Sequence, residues 1–390
     1  MRGTWKANKL LAGILAFSPL FSPATVRAAE WRVETVDTAG NAQFTTMQID
    51  KSGNVHLAYV PDVEGHPLKY AYWDRASKRW FTMVVTQIAS FPTLILDSKQ
   101  RPHISFADHG TGRGARLRHA AWDGSNWQVT PINIQPGTVV GYYTGIGMDA
   151  KDNPFFSFYD YADRNESFRL RLRAVSLVTD HWEARTVDGQ GGSGKFNSLA
   201  VDSAGRPQIA YANVKYETSG LRYASWNGET WKKEILEGEA GPTPVYSVAM
   251  VLDSHDNPHI TYSLVQTGVV KYATKIGGRW VTQAVDTIKG VAYPDRNGIV
   301  LDSKGNPHIS YYDVKNGVLK VAHGDRGKWT VETLDENFAG FTSSLGIFGD
   351  TLWVAYADDT NSALKVAYRS LLEETKSMDK AVSKTNFVGK

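Results

Sequence analysis

The chain has no cysteine among its 390 residues. Disulfide staples, thiolate metal sites and thiol nucleophiles are excluded, and the fold must be held by its core. An excess of one charge is also missing, since 43 Lys and Arg face 40 Asp and Glu. Four of the basic residues (Arg2, Lys6, Lys9 and Arg27) fall within residues 1–28, which hold no acid, so the remainder carries a formal charge of −1. That removes the electrostatic case for a nucleic-acid partner. Beyond the N-terminus no apolar run is long enough to cross a bilayer, so membrane insertion of the mature chain is not expected. There is no contiguous Asp-x-Asp-x-Asp-Gly loop, which leaves a structural calcium ion unsupported, and no metal or other cofactor is expected.

The N-terminus reads as an export signal. The basic start is followed by an apolar stretch from Leu10 to Phe21, interrupted by Pro19, and then by Val26-Arg27-Ala28 before a cleavage point. Such a segment is too short and too broken for a stable spanning helix. Residues 1–28 are expected to be removed and the protein to be secreted or periplasmic, as in bacterial export.

What fills the rest is repetition. Residues 96–108 read LDSKQRPHISFAD, 252–264 read LDSHDNPHITYSL, and 301–313 read LDSKGNPHISYYD. Each copy has an apolar run ending in Asp-Ser, a Gly-Asn-Pro type turn, a PHISYYD-like run, a GVLKVA-like run and a Trp followed by alternating residues. Period-two alternation, β-branched and aromatic enrichment and intervening turn residues indicate four short strands per copy. The third run is anchored at Leu68, Leu117, Leu172, Leu221, Val270, Leu319 and Leu364, with steps of 49, 55, 49, 49, 49 and 45. Seven units of four strands predict an all-β fold, a single seven-bladed β-propeller over 29–371. Only six outer-strand tryptophans follow those anchors (Trp80, Trp127, Trp182, Trp231, Trp280 and Trp329). The seventh is Trp31, in EWRVETVD, so the N-terminal segment is expected to supply the last outer strand and close the ring. Residues 372–390 form a polar tail.

Residues that belong to the repeat are scaffold candidates first. His56, His103, His259 and His308 share one slot that elsewhere holds Phe155, Gln208 and Trp353, which suits packing better than metal ligation. The Lys or Arg after each third-strand anchor recurs in all seven units, and Asp62, Asp108, Asp160, Asp313 and Asp358 recur at the end of the second strand.

Deviations carry more information. The spacing from the second-strand end to the third-strand anchor is 6 in blades 1, 5, 6 and 7, but 9, 12 and 8 in blades 2, 3 and 4. Enlarged loops on one sector of one face make an asymmetric cleft, and function concentrates on such loops. The same sector holds His109, Arg113, Arg116 and His119 in blade 2, Tyr159, Tyr161, Asp163, Arg164, Arg169 and Arg171 in blade 3, and Tyr211, Asn213, Lys215 and Tyr216 in blade 4. Arg296 stands where other blades mostly place Phe or Tyr.

Clustered Arg, Tyr and His with many aromatics suit a glycan partner, since rings stack on sugars and Arg grips carboxylate or sulfate. A hydrolase needs paired carboxylates; Asp108, Asp160 and Asp163 are available, but the first two are repeat positions. A sialidase reading needs Asp-boxes (S-x-D-x-G-x-x-W), and none is present; HGDRGKW comes nearest. β-Elimination needs a group that neutralises a uronate carboxylate, a Tyr or His base and a donor to the leaving oxygen.

The blade repeat resembles that of the bacterial secreted sialidase-like (BNR) propellers. The order His109 and His119, then Tyr159 and Arg171, then Tyr211 in successive blades is similar to propeller-fold lyases of ulvan-type uronic polysaccharides. The resemblance implies lyase chemistry with these five as catalytic residues. Arg116, Tyr161, Arg164, Arg169 and Arg296 are the expected substrate-binding set. A non-catalytic lectin-like propeller or an envelope protein-interaction scaffold are the alternative readings, and a monomer is expected.

Secretion from a bacterial host followed by mass spectrometry should give an N-terminal peptide starting near Ala29. A secreted chain that retains residues 1–28 would contradict the leader assignment.

Overall fold

A computed structural model describes residues 30–108, 115–134, 140–162, 169–178, 181–215, 219–238, 242–288 and 297–371. Side chains of residues 140, 161, 162, 169, 170 and 178 lie outside that description. The described residues form 28 strands in seven four-stranded antiparallel sheets, the blades of a β-propeller. Blade 1 is built from Ala42–Ile49, Val55–Pro61, Leu68–Asp74 and Arg79–Thr86. Blades 2 to 6 repeat it over 90–131, 140–188, 193–235, 245–287 and 298–335. Blade 7 takes Ala339–Phe348, Thr351–Asp358 and Ala363–Ser370, and its outer strand is Arg32–Asp37, paired antiparallel to Ala363–Ser370. Among the described residues no helix is long and apolar enough to cross a membrane.

The first strand of each blade lines a central channel with a cavity of about 350 Å³. Blade-to-blade links and the second-to-third-strand turns share one end of the disc, here the loop face. The other end, the turn face, carries the recurring Asp-Ser phrase. There Asp50, Asp149, Asp202, Asp253 and Asp302 each accept from the backbone N–H groups two and four residues on. This local hydrogen bonding favours a turn over a continued strand. The recurring histidines sit just beyond. His56, His103, His259 and His308 each bring Nε2 to within 3.5–3.6 Å of the turn aspartate of their own blade. Among the described residues no group of three or more His, Cys, Asp or Glu is arranged to hold a metal.

Between blades, packing is apolar, with one charged element that repeats. Six residues after the outer-strand Trp stands a carboxylate that reaches the next blade. Asp37 accepts from the Tyr59 hydroxyl and Lys69. Asp188 accepts from Tyr211 at 2.9 Å and Lys233 at 3.1 Å. Glu237 accepts from Tyr262 at 2.6 Å and from Lys271. Asp286 accepts from Tyr311 at 2.7 Å and Lys320 at 3.0 Å. Asp335 accepts from Tyr356 at 2.9 Å, with Lys365 3.9 Å away. Burial alone would raise the Asp37 and Asp286 carboxyls, but their Lys and Tyr donors outweigh it and hold both below the usual value. The tyrosines are pushed up by burial and by the adjacent carboxylate, so each stays a proton donor.

Lys320 also pairs with Asp313 at 2.8 Å. Lys320→Met should therefore strand two largely buried carboxylates and cost about 2–3 kcal/mol, whereas Tyr311→Phe, which removes one hydrogen bond, should cost about 1 kcal/mol. Denaturant midpoints of the two variants check this; no loss in either would deny the junction a structural role.

Candidate functional site

The charged junction is present at five of the seven blade boundaries and absent at two, both bordering blade 2. Six residues after Trp80 and Trp127 the carboxylate is replaced by Thr86 and Asn133. The facing tyrosine is replaced by Phe106 and Phe158, both fully buried. The third-strand cations then turn to their own sheets. Arg118 binds Asp108, with Nε and Nη2 3.0 and 2.9 Å from Oδ2. In blade 3, Arg171 donates Nε to Asp160 Oδ2 at 2.8 Å, and Arg173 stands 3.7 Å from the same oxygen. Asp160 is completely buried, and its Oδ1 has no hydrogen-bond partner among the described residues. The two altered boundaries fall in the sector with the enlarged loops.

The sheet pleat divides blade 3 into two faces. Phe158 and Asp160 lie opposite Arg173 and Arg171, so all four share the face towards blade 2. Tyr159, opposite Leu172, lies on the face towards blade 4. It is 3% exposed and has the Tyr143 ring 6.4 Å away, centroid to centroid. Tyr143 belongs to an arc of rings at the channel mouth, Phe44, Phe91, Tyr143, Phe196 and Tyr246, with successive centroids 4.4–4.7 Å apart. The first four of these hold positive φ, 48–54°, at first-strand bulges, which turns the rings into contact with one another.

The cation that faces Tyr159 comes from blade 4. Lys195 Nζ stands 5.7 Å from the centre of the Tyr159 ring. Gly194 makes this approach feasible. It holds φ +111°, and a Cβ there would meet Leu172 at 3.0 Å, so a larger residue would push blade 4 away from blade 3. Lys195 is half-buried, and burial lowers its pKa below the ordinary lysine value.

The structure places the remaining candidates in different settings. Tyr211 is a junction tyrosine, fully buried and donating to Asp188. Arg116 is exposed at the loop-face start of its strand, opposite Asp108. His119 lies at the level of Phe156, with ring centroids 5.3 Å apart, three residues and so about 10 Å down the strand from Tyr159. It stacks on His103 at 18° and shares a 3.0 Å hydrogen bond with it, taking the place of Tyr70 and Tyr272, which bind His56 and His259 in other blades. Tyr161 and Arg169 continue their strands, opposite Leu170 and Ala162, but their side chains lie outside the described residues. His109, Arg164 and Arg296 lie outside them altogether. Tyr159 and Arg171 are thus adjacent in the sheet but on opposite faces, and neither meets His119.

Sequence reasoning missed two features. One is the loss of the acid after Trp80 and Trp127, readable by counting six residues from each tryptophan. The other is Lys195, a cation where the corresponding first-strand positions of blades 1, 2, 3, 5 and 7 hold Gln43, Ser90, Tyr142, Tyr246 and Phe341.

Fold and site define the class as a seven-bladed β-propeller with one irregular sector. No protein-family model matches the chain, and no curated protein matches it. Solved structures do. An ulvan lyase of polysaccharide lyase family PL25, bound to -[GlcA(1-4)Rha3S]-, is similar with a TM-score of 0.57 and 14% identity, over 89% of this chain and 99% of that one. Polysaccharide lyase Uly1 is similar with a TM-score of 0.53 and 9% identity, over 88% and 100%. The Hadza microbial sialidase Hz136 is similar with a TM-score of 0.50 and 11% identity, over 81% and 76%. At these identities the likeness is one of fold.

Burial, and then the neighbouring His103, lower the His119 pKa from 6.5 to about 3. The folded state therefore keeps the ring neutral where the unfolded chain takes up a proton. Stability from this source is intact above pH 6.5 and declines as pH falls towards 3. His119→Tyr, which restores the residue used in blades 1 and 5, should reduce the loss between pH 7 and pH 4 by about 2–3 kcal/mol. Denaturant titrations at both pH values test this, and an unchanged pH dependence would contradict it.

Proposed function

We propose that this protein is an exported carbohydrate-active propeller that cleaves a uronic-acid-containing polysaccharide by β-elimination, with its site on the loop face of blades 2 to 4. The observation that carries the reading is the local break in the repeat. Charged junctions are replaced only at the boundaries of blade 2, where Arg118, Arg171 and Arg173 gather, and on the other face of blade 3 a buried tyrosine meets a lysine of blade 4. A lectin built on equivalent pockets between blades would leave the boundaries alike. The likeness to two polysaccharide lyases, one bound to a glucuronate-containing ligand, supports the same class. The leader-like N-terminus supports export.

In β-elimination the proton alpha to the uronate carboxylate is removed, the C–O bond to the next sugar breaks, and a C=C bond forms. The leaving oxygen takes up a proton. Tyr159 is the group assigned to proton transfer, and its seclusion from water suits that role. Because Tyr159 is buried in the unliganded chain, an opening step precedes the chemistry. The Arg171–Asp160 pair fixes the strand ends on which the site is built. His119 and Tyr211, engaged in packing and in a blade junction, are left out of the assignment, and His109 is retained from the sequence as a candidate second proton-transfer group.

Residues 29–390 mixed with polygalacturonate, alginate, hyaluronan and ulvan should generate ultraviolet absorbance from a new C=C bond on at least one polymer. Tyr159→Phe should slow that signal by about a hundredfold or more while leaving the unfolding midpoint close to that of the parent. A flat signal on every polymer, or full activity in the variant, would overturn the assignment.

A further inference from the structure

A buried or half-buried cation normally has a carboxylate beside it, because an uncompensated charge away from water is costly. This chain follows the rule closely. Lys69, Lys271, Lys275, Lys320 and Lys365, all partly buried, each pair with Asp or Glu. Lys195 is the exception among the described lysines of similar burial. Its one described side-chain contact is the face of the Tyr159 ring, and no acid lies within ion-pair distance among the described residues. A ring face offers a cation only weak compensation compared with a carboxylate. Nor does the repeat require a lysine here, since the equivalent positions hold Gln, Ser, Tyr and Phe.

Such a charge destabilises the free protein. A residue that lowers stability and is not demanded by the fold is one whose counterpart arrives from outside. The counterpart must be an anion. It must fit beside an aromatic ring in a sector that already supplies Tyr159. Lys195 is also the more exposed of the pair, so an incoming polymer meets it first.

We propose that Lys195 receives the carboxylate of the bound uronic acid residue and sets its position against Tyr159. This rests on the proposed function, which it deepens by assigning the substrate's anionic group to a single side chain. Arg171, the sequence-derived cation of blade 3, lies on the other face of its sheet with Asp160. Lys195 takes the carboxylate-binding role on the Tyr159 side. A sulfate on the same polymer would be attracted by the same charge, and the choice of ligands below separates the two.

The test measures binding as well as turnover, on the full mature chain. Calorimetry would compare a uronate oligosaccharide, its carboxyl-reduced derivative and its desulfated derivative, using the parent, Lys195→Met and Lys195→Arg. Lys195→Met should weaken binding of the uronate ligand about tenfold or more, and Lys195→Arg should retain most of it. Carboxyl reduction should weaken binding to the parent and abolish the difference between the parent and Lys195→Met, because the two changes remove the same contact. Desulfation should leave that difference unchanged. The thermal midpoint of Lys195→Met should equal or exceed that of the parent. A lowered midpoint would mark Lys195 as structural and overturn the proposal. It is equally overturned if Lys195→Met binds the uronate ligand normally, if its penalty persists on the carboxyl-reduced ligand, or if no uronate ligand binds. Lys195-dependent binding without any turnover would sink the lyase reading and leave this inference standing. Turnover unaffected by Lys195→Met would do the reverse.

Discussion

The structure depends on the contact in which an outer-strand carboxylate of one blade meets a tyrosine hydroxyl and a cation of the next. A closed ring allows no slack, so every boundary must seat its neighbour at the same angle. Apolar packing alone tolerates sliding, but a buried carboxylate with two fixed donors does not. The net stabilisation from such a group is small, since desolvation offsets most of the attraction. Its effect lies in the cost of breaking it, because removing the carboxylate or the cation deprives a largely buried charge of its partner. The same logic extends to the first strand of the chain, where Asp37 ends the outer strand of blade 7 and binds Tyr59 and Lys69 of blade 1.

An element of that kind changes as a unit or not at all. At the two boundaries of blade 2 it has changed as a unit. Thr86 stands with Phe106 and Asn133 with Phe158, and Arg118 and Arg173 turn to Asp108 and Asp160 inside their own sheets. The substitutions remove the acid and the tyrosine together, and the own-sheet carboxylates remain as partners of the third-strand cations. Tyr159 and Lys195 meet on the far side of blade 3 from this rearrangement, brought together by the absence of a side chain at Gly194. Five unaltered boundaries hold the disc while this sector departs from the pattern. A rigid scaffold carrying one irregular sector is a physical basis for chemistry at one place in an otherwise repetitive molecule.

The seven blades were legible because each repeats a phrase whose parts have local causes. The Asp-Ser turn caps itself, the alternating runs can bury only one way, and Trp31 reveals the missing outer strand by its likeness to Trp329. The irregular sector was also legible, from the unequal spacing between second and third strands. Its chemistry was not. Residue types alone placed His119, Tyr159, Arg171 and Tyr211 in one group, whereas pleating sends Tyr159 and Arg171 to opposite faces. His119 descends to the packing layer beside His103, and Tyr211 is committed to Asp188. Lys195 differs in charge from its first-strand counterparts, but a lone lysine in a sequence does not mark a site. Its distinction is the acid it lacks, which only the packed structure reveals.

Hydrogen–deuterium exchange with and without a saturating uronate oligosaccharide tests the central claim most directly, because it reports every boundary of the ring in one experiment. Slowed exchange is expected in the loop-face ends of blades 2 to 4, including Val140–Met148, Pro154–Ala162 and Ser193–Val201, with the other boundaries unchanged. Equal protection at all seven boundaries, or protection confined to the turn face, would contradict it.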